Sequence, residues 1–211
     1  MGELFTDRQE IRLADADPLI LWRRWLAQEG KDADALERWL DENLPWERRN
    51  LRTAGGWVDL PRDEVFLAME PGRTYEYSGN TYEAGDLRRF KLDRVMHAVE
   101  RATGHQFNAV FCNRYVDGRD SIGWHADDKD ALGPADDVVI ASLSLGIRRA
   151  FRLRSYRKRE GSNRRNELIS LPLGDGDLLV MGRRTQTNYE HEVPKVDEVG
   201  RRIVLTFRWL T

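Results

Sequence analysis

The sequence has little cysteine and no long apolar run. Cys112 is the single cysteine among 211 residues, so no disulfide can form within the chain and no cysteine-rich zinc site can be built. No stretch approaches the roughly 18 consecutive apolar residues of a membrane-spanning helix, so no membrane association is expected. The N-terminal residues lack the basic and then apolar pattern of a secretion signal. These absences predict an intracellular protein, cytoplasmic in a bacterium or nuclear in a eukaryote. We also expect a monomer.

The charges nearly balance, with 34 basic and 36 acidic residues, but they are unevenly distributed. Residues 148–166 hold nine arginines and lysines against one acid, Glu160. Such a stretch can contact a polyanion, or it can be the solvated tip of a hairpin. Arg157, Lys158 and Arg159 lie at its centre and are the candidates for contacts with nucleic acid.

Helical spacing is clearest in two segments of the first half of the chain. In residues 1–50, apolar positions of the stretch ALERWLDENL fall at i, i+3 and i+4. Residues 85–103 carry one apolar stripe, formed by Leu92, Val95, Met96, Val99 and Ala102. Gly104 follows as a helix stop. The pattern therefore predicts a helix over 85–103 and a helical layer in 1–50.

Strand patterns follow Gly104. Six segments are short, rich in β-branched or aromatic residues and separated by Gly, Asp or Pro turns: FNAVFCNRY, DVVIASLSLG, AFRLRSY, NELISLPL, GDLLVMG and RRIVLTFRW. Consecutive strands without intervening helices favour an antiparallel sandwich or barrel. The sequence thus predicts an α+β fold that is mainly β, with the N-terminal helical layer packed on a C-terminal β-domain.

One histidine and one aspartate lie two positions apart in the stretch IGWHADDKD. On an extended segment His125 and Asp127 point to the same face, where both could bind one metal ion. His191, far along the chain in NYEHEVP, could supply a third ligand. Two histidines and one carboxylate with open coordination positions form the facial triad of non-haem Fe(II) oxygenases. The alternative is a pair of polar residues on a solvated strand, with His191 an ordinary core or surface histidine.

The last strand pattern, RRIVLTFRW, has one apolar face and one face with two arginines. The apolar face, expected in the core, is formed by Ile203, Leu205, Phe207 and Trp209. On the other face Arg202 and Arg208 lie about 20 Å apart at Cα, and their guanidinium groups could converge on a small dicarboxylate. The alternative is two solvated arginines. Asn113 and Tyr115 share a face of FCNRY and could donate to the same ligand, or be ordinary polar strand residues.

An ordered set of motifs runs from Pro61 to Trp209. The main ones are Asn113-x-Tyr115, Ile122-Gly123-x-His125-x-Asp127-Asp128, Ser142-x-Ser144-x-Gly146, Gly176-Asp177, His191 and Arg202-x5-Arg208. With these motifs the sequence resembles the AlkB family of Fe(II)/2-oxoglutarate-dependent dioxygenases, and it looks closest to the branch that repairs alkylated DNA bases. The upstream pieces Pro61-Arg62 and Tyr75-Glu76-Tyr77-Ser78-Gly79 resemble the family's nucleotide-recognition lid.

The resemblance implies a double-stranded β-helix, or jelly-roll, core. Residues 1–50 would be an N-terminal helical extension packed on that core. Residues 51–105 would form the nucleotide-recognition lid and its supporting helix. Residues 106–211 would form the dioxygenase core.

The resemblance also implies roles for single residues. The iron ligands, and so the catalytic residues, would be His125, Asp127 and His191. The residues that bind 2-oxoglutarate would be Asn113, Tyr115, Arg202 and Arg208. Arg202 would pair with the distal carboxylate, and Arg208 would lie near the keto-acid end. The family often has an asparagine where Val204 stands, which removes one expected co-substrate contact.

Two further residues would bind the substrate if the resemblance holds. Tyr77 would stack on a flipped base against His125, and Asp128 would read the exocyclic amine of that base. The implied reaction is oxidative dealkylation of N-alkylated nucleobases, of the 1-methyladenine and 3-methylcytosine type, with Fe(II), 2-oxoglutarate and O2, in DNA repair. The alternatives are a 2-oxoglutarate oxygenase that acts on a protein side chain, RNA or a small metabolite, and a non-catalytic barrel that binds metal or nucleic acid.

A loop beyond the third ligand bears on the form of the nucleic acid. Duplex-repairing members of the family carry a basic cluster there, whereas this chain reads EVPKVDEVG, with Lys195 as its single basic residue. We therefore expect a preference for single-stranded nucleic acid with alkylated bases.

Overall fold

Two β-sheets face each other across a shared interior. The computed structural model describes residues 7–53, 56–77, 79–155, 168–197 and 200–211. Ser78 of the lid motif and the basic candidates Arg157, Lys158 and Arg159 lie outside the described residues.

The larger sheet has eight strands. In spatial order they are β1 (Arg8–Ile11), β2 (Leu19–Trp22), β14 (Leu178–Met181), β11 (Ile140–Gly146), β16 (Arg202–Arg208), β9 (Ala109–Tyr115), β5 (Asp63–Ala68) and β8 (Gly85–Asp86). The short strand β8 runs parallel to β5, and the other neighbouring pairs are antiparallel. Residues distant in sequence, such as those of β9 and β16, therefore lie side by side at the centre of the sheet.

The smaller sheet has four antiparallel strands. In spatial order they are β10 (Ile122–His125), β15 (Tyr189–Val193), β12 (Arg149–Ser155) and β13 (Leu168–Leu173). Two hairpins stand apart from both sheets, β3–β4 (Asn50–Thr53 and Gly56–Asp59) and β6–β7 (Thr74–Tyr77 and Asn80–Glu83). Opposed sheets with a shared interior are the arrangement expected of a double-stranded β-helix, so the mainly β character is confirmed.

The described residues include four α-helices beside the sheets. They are α1 (Trp25–Gln28), α2 (Ala33–Asn43), α3 (Leu92–Thr103) and α4 (Thr185–Asn188). The apolar faces of α2 and α3 pack on the outer side of the larger sheet, where Leu40, Val99 and Leu205 join one buried cluster. No helix in the described part of the chain combines the length and apolarity needed to cross a membrane.

Strand β16 divides its side chains between two interiors. Ile203, Leu205 and Phe207 enter the helix-covered core, as the alternating pattern predicts. The opposite face looks toward the smaller sheet. Trp209 departs from the prediction, because β16 ends at Arg208 and the Trp209 ring is about half exposed rather than buried.

The helix predicted over 85–103 is shorter than expected. It begins at Leu92, after strand β8 and a 3-10 turn over Leu87–Phe90. Lys91 has a left-handed backbone with φ of 55°, which interrupts the helical path before Leu92. The end agrees with the prediction, since Gly104 takes φ of 75° and its N–H bonds to the Glu100 carbonyl.

The N-terminal segment also differs from the helical layer expected for 1–50. It supplies α1 and α2, but β1 and β2 extend the edge of the larger sheet as well. In β2 the side chains of Leu19 and Leu21 are fully buried and alternate with half-buried neighbours. That alternation is typical of a strand, but a run of four residues is too short to predict a strand from the sequence.

Candidate metal and co-substrate site

A cavity lies between the two sheets and opens to solvent. Of the residues singled out from the sequence, those that line it are Tyr77, Asn113, Tyr115, His125, Asp127, His191, Arg202 and Arg208. Strands β9 and β16 present their residues from the larger sheet, and β10 and β15 present theirs from the smaller one. Val204 also lines the cavity, where it places an apolar side chain.

The two histidines of the candidate triad are neighbours across the smaller sheet. His125 of β10 pairs with His191 of β15 in the strand register, and their ring centroids are 4.2 Å apart. Asp127 follows β10 by two residues, and its Oδ2 lies 3.9 Å from Nε2 of His191. One ligand atom from each of the three residues lies within 4.8 Å of the others. The three side chains therefore converge on one point, as the metal hypothesis requires.

The protonation of these groups favours metal binding. Burial lowers the pKa of His125. Burial, together with the neighbouring His125, lowers the pKa of His191 to about 3. Burial raises the pKa of Asp127, but Arg208 and the two histidines outweigh this effect and leave that pKa below its ordinary value. Neutral imidazoles and an ionised carboxylate are the ligand forms that a divalent ion binds.

The rings are also oriented for this purpose. His125 Nδ1 lies 2.8 Å from the Gly123 carbonyl oxygen and donates to it, which leaves Nε2 with its lone pair. Two imidazole nitrogens and one carboxylate oxygen suit Fe(II), with positions left for a co-substrate and oxygen. The residues present thus fit an iron centre.

Arg202 is a buried cation with spare donors. Its side chain is 1% exposed, and Nη2 donates to Ser144 Oγ at 2.9 Å. Its Nε and Nη1 atoms have no hydrogen-bond partner among the described residues. Burial lowers the pKa of Arg202 to about 10, with Arg149 adding to the effect, so it stays charged at neutral pH. A buried charge without a counter-ion is costly, and an anionic ligand in the cavity would supply one.

Arg208 lies at the other end of the same face. Its Nη1 donates to the Tyr75 hydroxyl at 3.0 Å and lies 3.6 Å from Asp127 Oδ1. Its Nε has no partner within the described part of the chain. Both arginines therefore point into the cavity and not to solvent, and Arg208 connects the metal site with strand β6 of the β6–β7 hairpin.

The two candidates for base recognition are placed differently. Tyr77 is buried beside His125, with ring centroids 6.0 Å apart and an angle of 67° between the ring planes. This is an edge contact, so the rings would have to turn to stack on a base between them. Asp128 is half exposed, its carboxylate lies 3.6 Å from the Lys129 ammonium, and it does not line the cavity.

Three arginines of the described part of the basic stretch have partners within the protein. Arg149 is buried and donates to the backbone carbonyls of Asp117, Asp120 and Pro194. On the outer face of β12, Arg152 pairs with Glu192 and Arg154 with Glu190. These three arginines are therefore not free for a polyanion, and the prediction for Arg157, Lys158 and Arg159 concerns residues outside the described ones.

One residue at the site carried no recognisable sequence signal. Gln186 of α4 is fully buried, and its Oε1 accepts from the Asp127 backbone N–H at 2.9 Å. The short helix α4 thereby fixes the segment that presents Asp127. A glutamine in the stretch TQTN gives no periodic or motif signal, although its position five residues before His191 is a clue in retrospect.

The family assignment follows from comparison with known proteins. Residues 18–208 match the model of the 2OG-Fe(II) oxygenase superfamily. The chain is 36% identical to the alpha-ketoglutarate-dependent dioxygenase alkB homolog 3 of Rattus norvegicus, over 84% of this chain and 60% of that protein. It is 38% identical to the DNA oxidative demethylase ALKBH2 of Homo sapiens, over 73% of this chain and 58% of that protein. It thus spans about three fifths of the length of these two relatives.

Two further comparisons extend this result. The ALKBH2 protein of Mus musculus is 35% identical over 84% of this chain and 74% of its own length. The structure of OsALKBH1 matches the fold with a TM-score of 0.61 at 14% identity, over 95% of this chain and all of that chain. The structural match confirms the predicted fold class. The chain belongs to the 2OG-Fe(II) oxygenase superfamily and, within it, to the AlkB family.

Proposed function

We propose that the protein catalyses Fe(II)- and 2-oxoglutarate-dependent oxidative dealkylation of N-alkylated nucleobases in nucleic acid, in DNA repair. One observation carries the proposal. A histidine–aspartate–histidine cluster shares a cavity with a buried arginine, Arg202, whose Nε and Nη1 atoms have no hydrogen-bond partner within the described residues. That combination suits a metal and a dicarboxylate held side by side. The name of the ALKBH2 relatives, DNA oxidative demethylase, supports a nucleic-acid substrate.

His125, Asp127 and His191 would hold the iron. When bound, Fe(II) supplies the activation of O2, so that one oxygen atom enters the N-alkyl C–H bond while the other enters succinate as 2-oxoglutarate loses CO2. The hydroxyalkyl product then breaks at its C–N bond, which releases an aldehyde and restores the base. The protein's part is to bind and orient both substrates and to exclude water from the cavity.

The co-substrate would lie along the polar face of β16 and β9. Arg202 would pair with the distal carboxylate through its unused donors, and Arg208 would lie near the keto-acid end. On β9, Tyr115 lies opposite Arg202 and Asn113 lies opposite Val204. Both line the cavity and would donate to the same molecule. Val204 offers no hydrogen bond to the co-substrate. The amide contact on this part of the cavity wall would therefore come from Asn113.

The alkylated base would enter beside the lid hairpin β6–β7. A damaged base pairs poorly and is extruded at lower cost than a normal base. The positive charge of a 1-methyladenine or 3-methylcytosine lesion would favour the aromatic face of Tyr77. For Asp128 to read the exocyclic amine, it would have to leave Lys129 and turn toward the cavity.

The decisive experiment measures both products. Purified protein with Fe(II), 2-oxoglutarate and O2 should form succinate and formaldehyde in equal amounts when a methylated oligonucleotide is added, and much less with the unmethylated oligonucleotide. Succinate formation that ignores the methylated base would point to a protein, RNA or small-molecule substrate. No turnover at all would favour a binding protein.

We also propose that single-stranded substrate is preferred and that the protein is a monomer. The single lysine in the EVPKVDEVG loop supports the first proposal, because a partner strand held during base extrusion needs cationic contacts. The three candidate metal ligands and both cavity arginines belong to the same chain, so the proposed chemistry needs no second copy, which supports the second. Initial rates on one methylated oligonucleotide, alone and annealed, test the first, and faster turnover of the duplex would contradict it. Light scattering gives the mass that tests the second.

A further inference from the structure

A second polar network lies behind the co-substrate side of the cavity. Arg62, Glu64 and Tyr82 are each at most 3% exposed. They form a chain of contacts that ends at Asn113, which lines the cavity. Arg62 itself is absent from the cavity wall. A buried cation so close to the cavity, yet outside its wall, can influence a ligand there through the side chains that it contacts.

The contact with Asn113 has a direction. Arg62 Nε lies 3.2 Å from Asn113 Oδ1. A guanidinium nitrogen is always a donor, so the side of the amide that faces Arg62 must be its oxygen. The Nδ2 group, with two donors, is then left for the cavity side. Without Arg62 the two orientations of this amide would differ little in energy. A ligand carboxylate would then face the amide N–H donors in one orientation and the amide oxygen in the other.

Arg62 is itself held by two residues. Its Nη2 lies 2.6 Å from Glu64 Oε1, and Glu64 lies opposite Asn113 in the pairing of β5 with β9. The Tyr82 hydroxyl donates to the other oxygen, Oε2 of Glu64. Burial and the adjacent Glu64 raise the pKa of Tyr82, so its hydroxyl keeps the proton that it donates. Tyr82 belongs to β7, so the network extends from the lid hairpin to the cavity wall.

We propose that Arg62 is a positioning residue for 2-oxoglutarate, which it serves by turning the amide donors of Asn113 toward the cavity. Tyr82 contacts Glu64, and Glu64 holds Arg62 in place. Tight binding of the co-substrate therefore depends on the position of the lid hairpin, which carries Tyr82. The inference rests on the proposed co-substrate site.

The test is the dissociation constant of 2-oxoglutarate, measured by calorimetry with Mn²⁺ in place of Fe(II) so that no turnover occurs. Asn113→Leu should weaken binding about tenfold, the usual effect of losing one hydrogen bond to a charged group. Arg62→Met should weaken it nearly as much. The double variant should bind no more weakly than Asn113→Leu alone, because Arg62 acts through Asn113. Arg48→Met, which removes an arginine from the outer surface, is the matched control and should bind normally.

Two variants guard against loss of folding. Arg62→Met combined with Glu64→Met leaves no unpaired charge buried and should reproduce the weakened binding. Tyr82→Phe removes a single hydroxyl and should weaken binding about threefold, the scale of one neutral hydrogen bond.

The outcomes separate this inference from the proposed function. Absence of 2-oxoglutarate binding by the unchanged protein would overturn both. If the unchanged protein binds 2-oxoglutarate, normal binding by Arg62→Met would overturn the role of Arg62 alone. Strictly additive losses in the double variant would do the same. Unchanged binding by Tyr82→Phe would overturn the link to the lid hairpin.

Discussion

Arg201 and Arg202 are neighbours in sequence and opposites in environment. Arg201 lies on the outer side of the larger sheet, where its guanidinium contacts Glu37 at 2.6 Å and Asp41 at 2.5 Å. Arg202, at the next position, points into the cavity, and its hydrogen bond within the described residues goes to the Ser144 hydroxyl and not to a carboxylate. Arg201 comes immediately before β16, and the alternation of side chains along an extended chain separates the two. The comparison teaches that the partners of an arginine, more than its burial, distinguish a structural role from a ligand-binding one.

The outer side of the sheet carries a continuous ion-pair network. Arg114 joins Asp41 to Asp63, each at 2.9 Å, and Arg48 joins Asp63 to Asp120 at 2.7 and 2.8 Å. Every arginine of this outer network, including Arg201, faces at least two carboxylates. The network therefore ties α2 and the adjacent loops to the sheet, and the charge of each of its arginines is matched within the protein.

The largest expected effect comes from replacing one aspartate of each region by alanine and comparing the two variants. Asp127→Ala should abolish succinate formation and Mn²⁺ binding, because it removes one of three metal ligands. Asp41→Ala breaks two outer ion pairs and should leave both properties intact, at a stability cost of about 1 kcal/mol. Activity assays and Mn²⁺ titration on the two variants check this. Metal binding retained by Asp127→Ala would mean that another side chain completes the site.

The two adjacent arginines should respond in opposite directions. Arg202→Met should weaken 2-oxoglutarate binding by about 100-fold, since a buried carboxylate loses its charged partner. The ligand-free variant should nevertheless be more stable, on the order of 1 kcal/mol, because an unpaired buried cation has been replaced by an apolar chain.

Arg201→Met is the matched control for Arg202→Met. It should lower stability by about 1 kcal/mol or less and leave the dissociation constant of 2-oxoglutarate unchanged. Thermal melts with and without 2-oxoglutarate measure both quantities. Equal destabilisation by the two substitutions would erase the distinction between the paired and the unpaired arginine.

The sequence was sufficient for those parts of the site that depend on local spacing. The His125-x-Asp127 pair and the alternation of β16 follow from the period of an extended strand. Gln186 and the carboxylate partners of Arg201 could not be predicted, because each contact joins segments that are far apart in the chain. The strands β1 and β2 were missed for a related reason, since a four-residue edge strand is defined by its pairing partner more than by its own pattern.

A smaller effect is expected at Gln186, which supports a metal ligand without touching the metal. Gln186→Leu leaves the Asp127 amide without its buried acceptor, so the carboxylate should be held less well. Metal affinity should fall about tenfold, at the lower end for residues that orient a ligand, while the far-ultraviolet circular dichroism stays unchanged. Gln186→Glu keeps an acceptor oxygen and should recover most of the Mn²⁺ affinity. A Leu variant with normal Mn²⁺ affinity would reduce Gln186 to a packing residue.

The smallest effect is expected where arginines of the basic stretch are already paired. Arg154 contacts Glu190 with two nitrogens, at 2.9 and 3.0 Å, and its guanidinium lies 4.0 Å from the Trp124 ring. It resembles Arg201 in having its charge matched within the protein. Arg154→Met should therefore change the affinity for a single-stranded oligonucleotide by less than about twofold and leave its salt dependence unaltered.

Arg157, Lys158 and Arg159 remain the predicted phosphate contacts, and their joint replacement by alanine should reduce the slope of log K against log salt by about 0.7 for each lost contact. Fluorescence anisotropy at several salt concentrations measures both slopes. A slope that falls for Arg154→Met but not for the triple variant would reverse the assignment and place the nucleic acid on the outer face of β12.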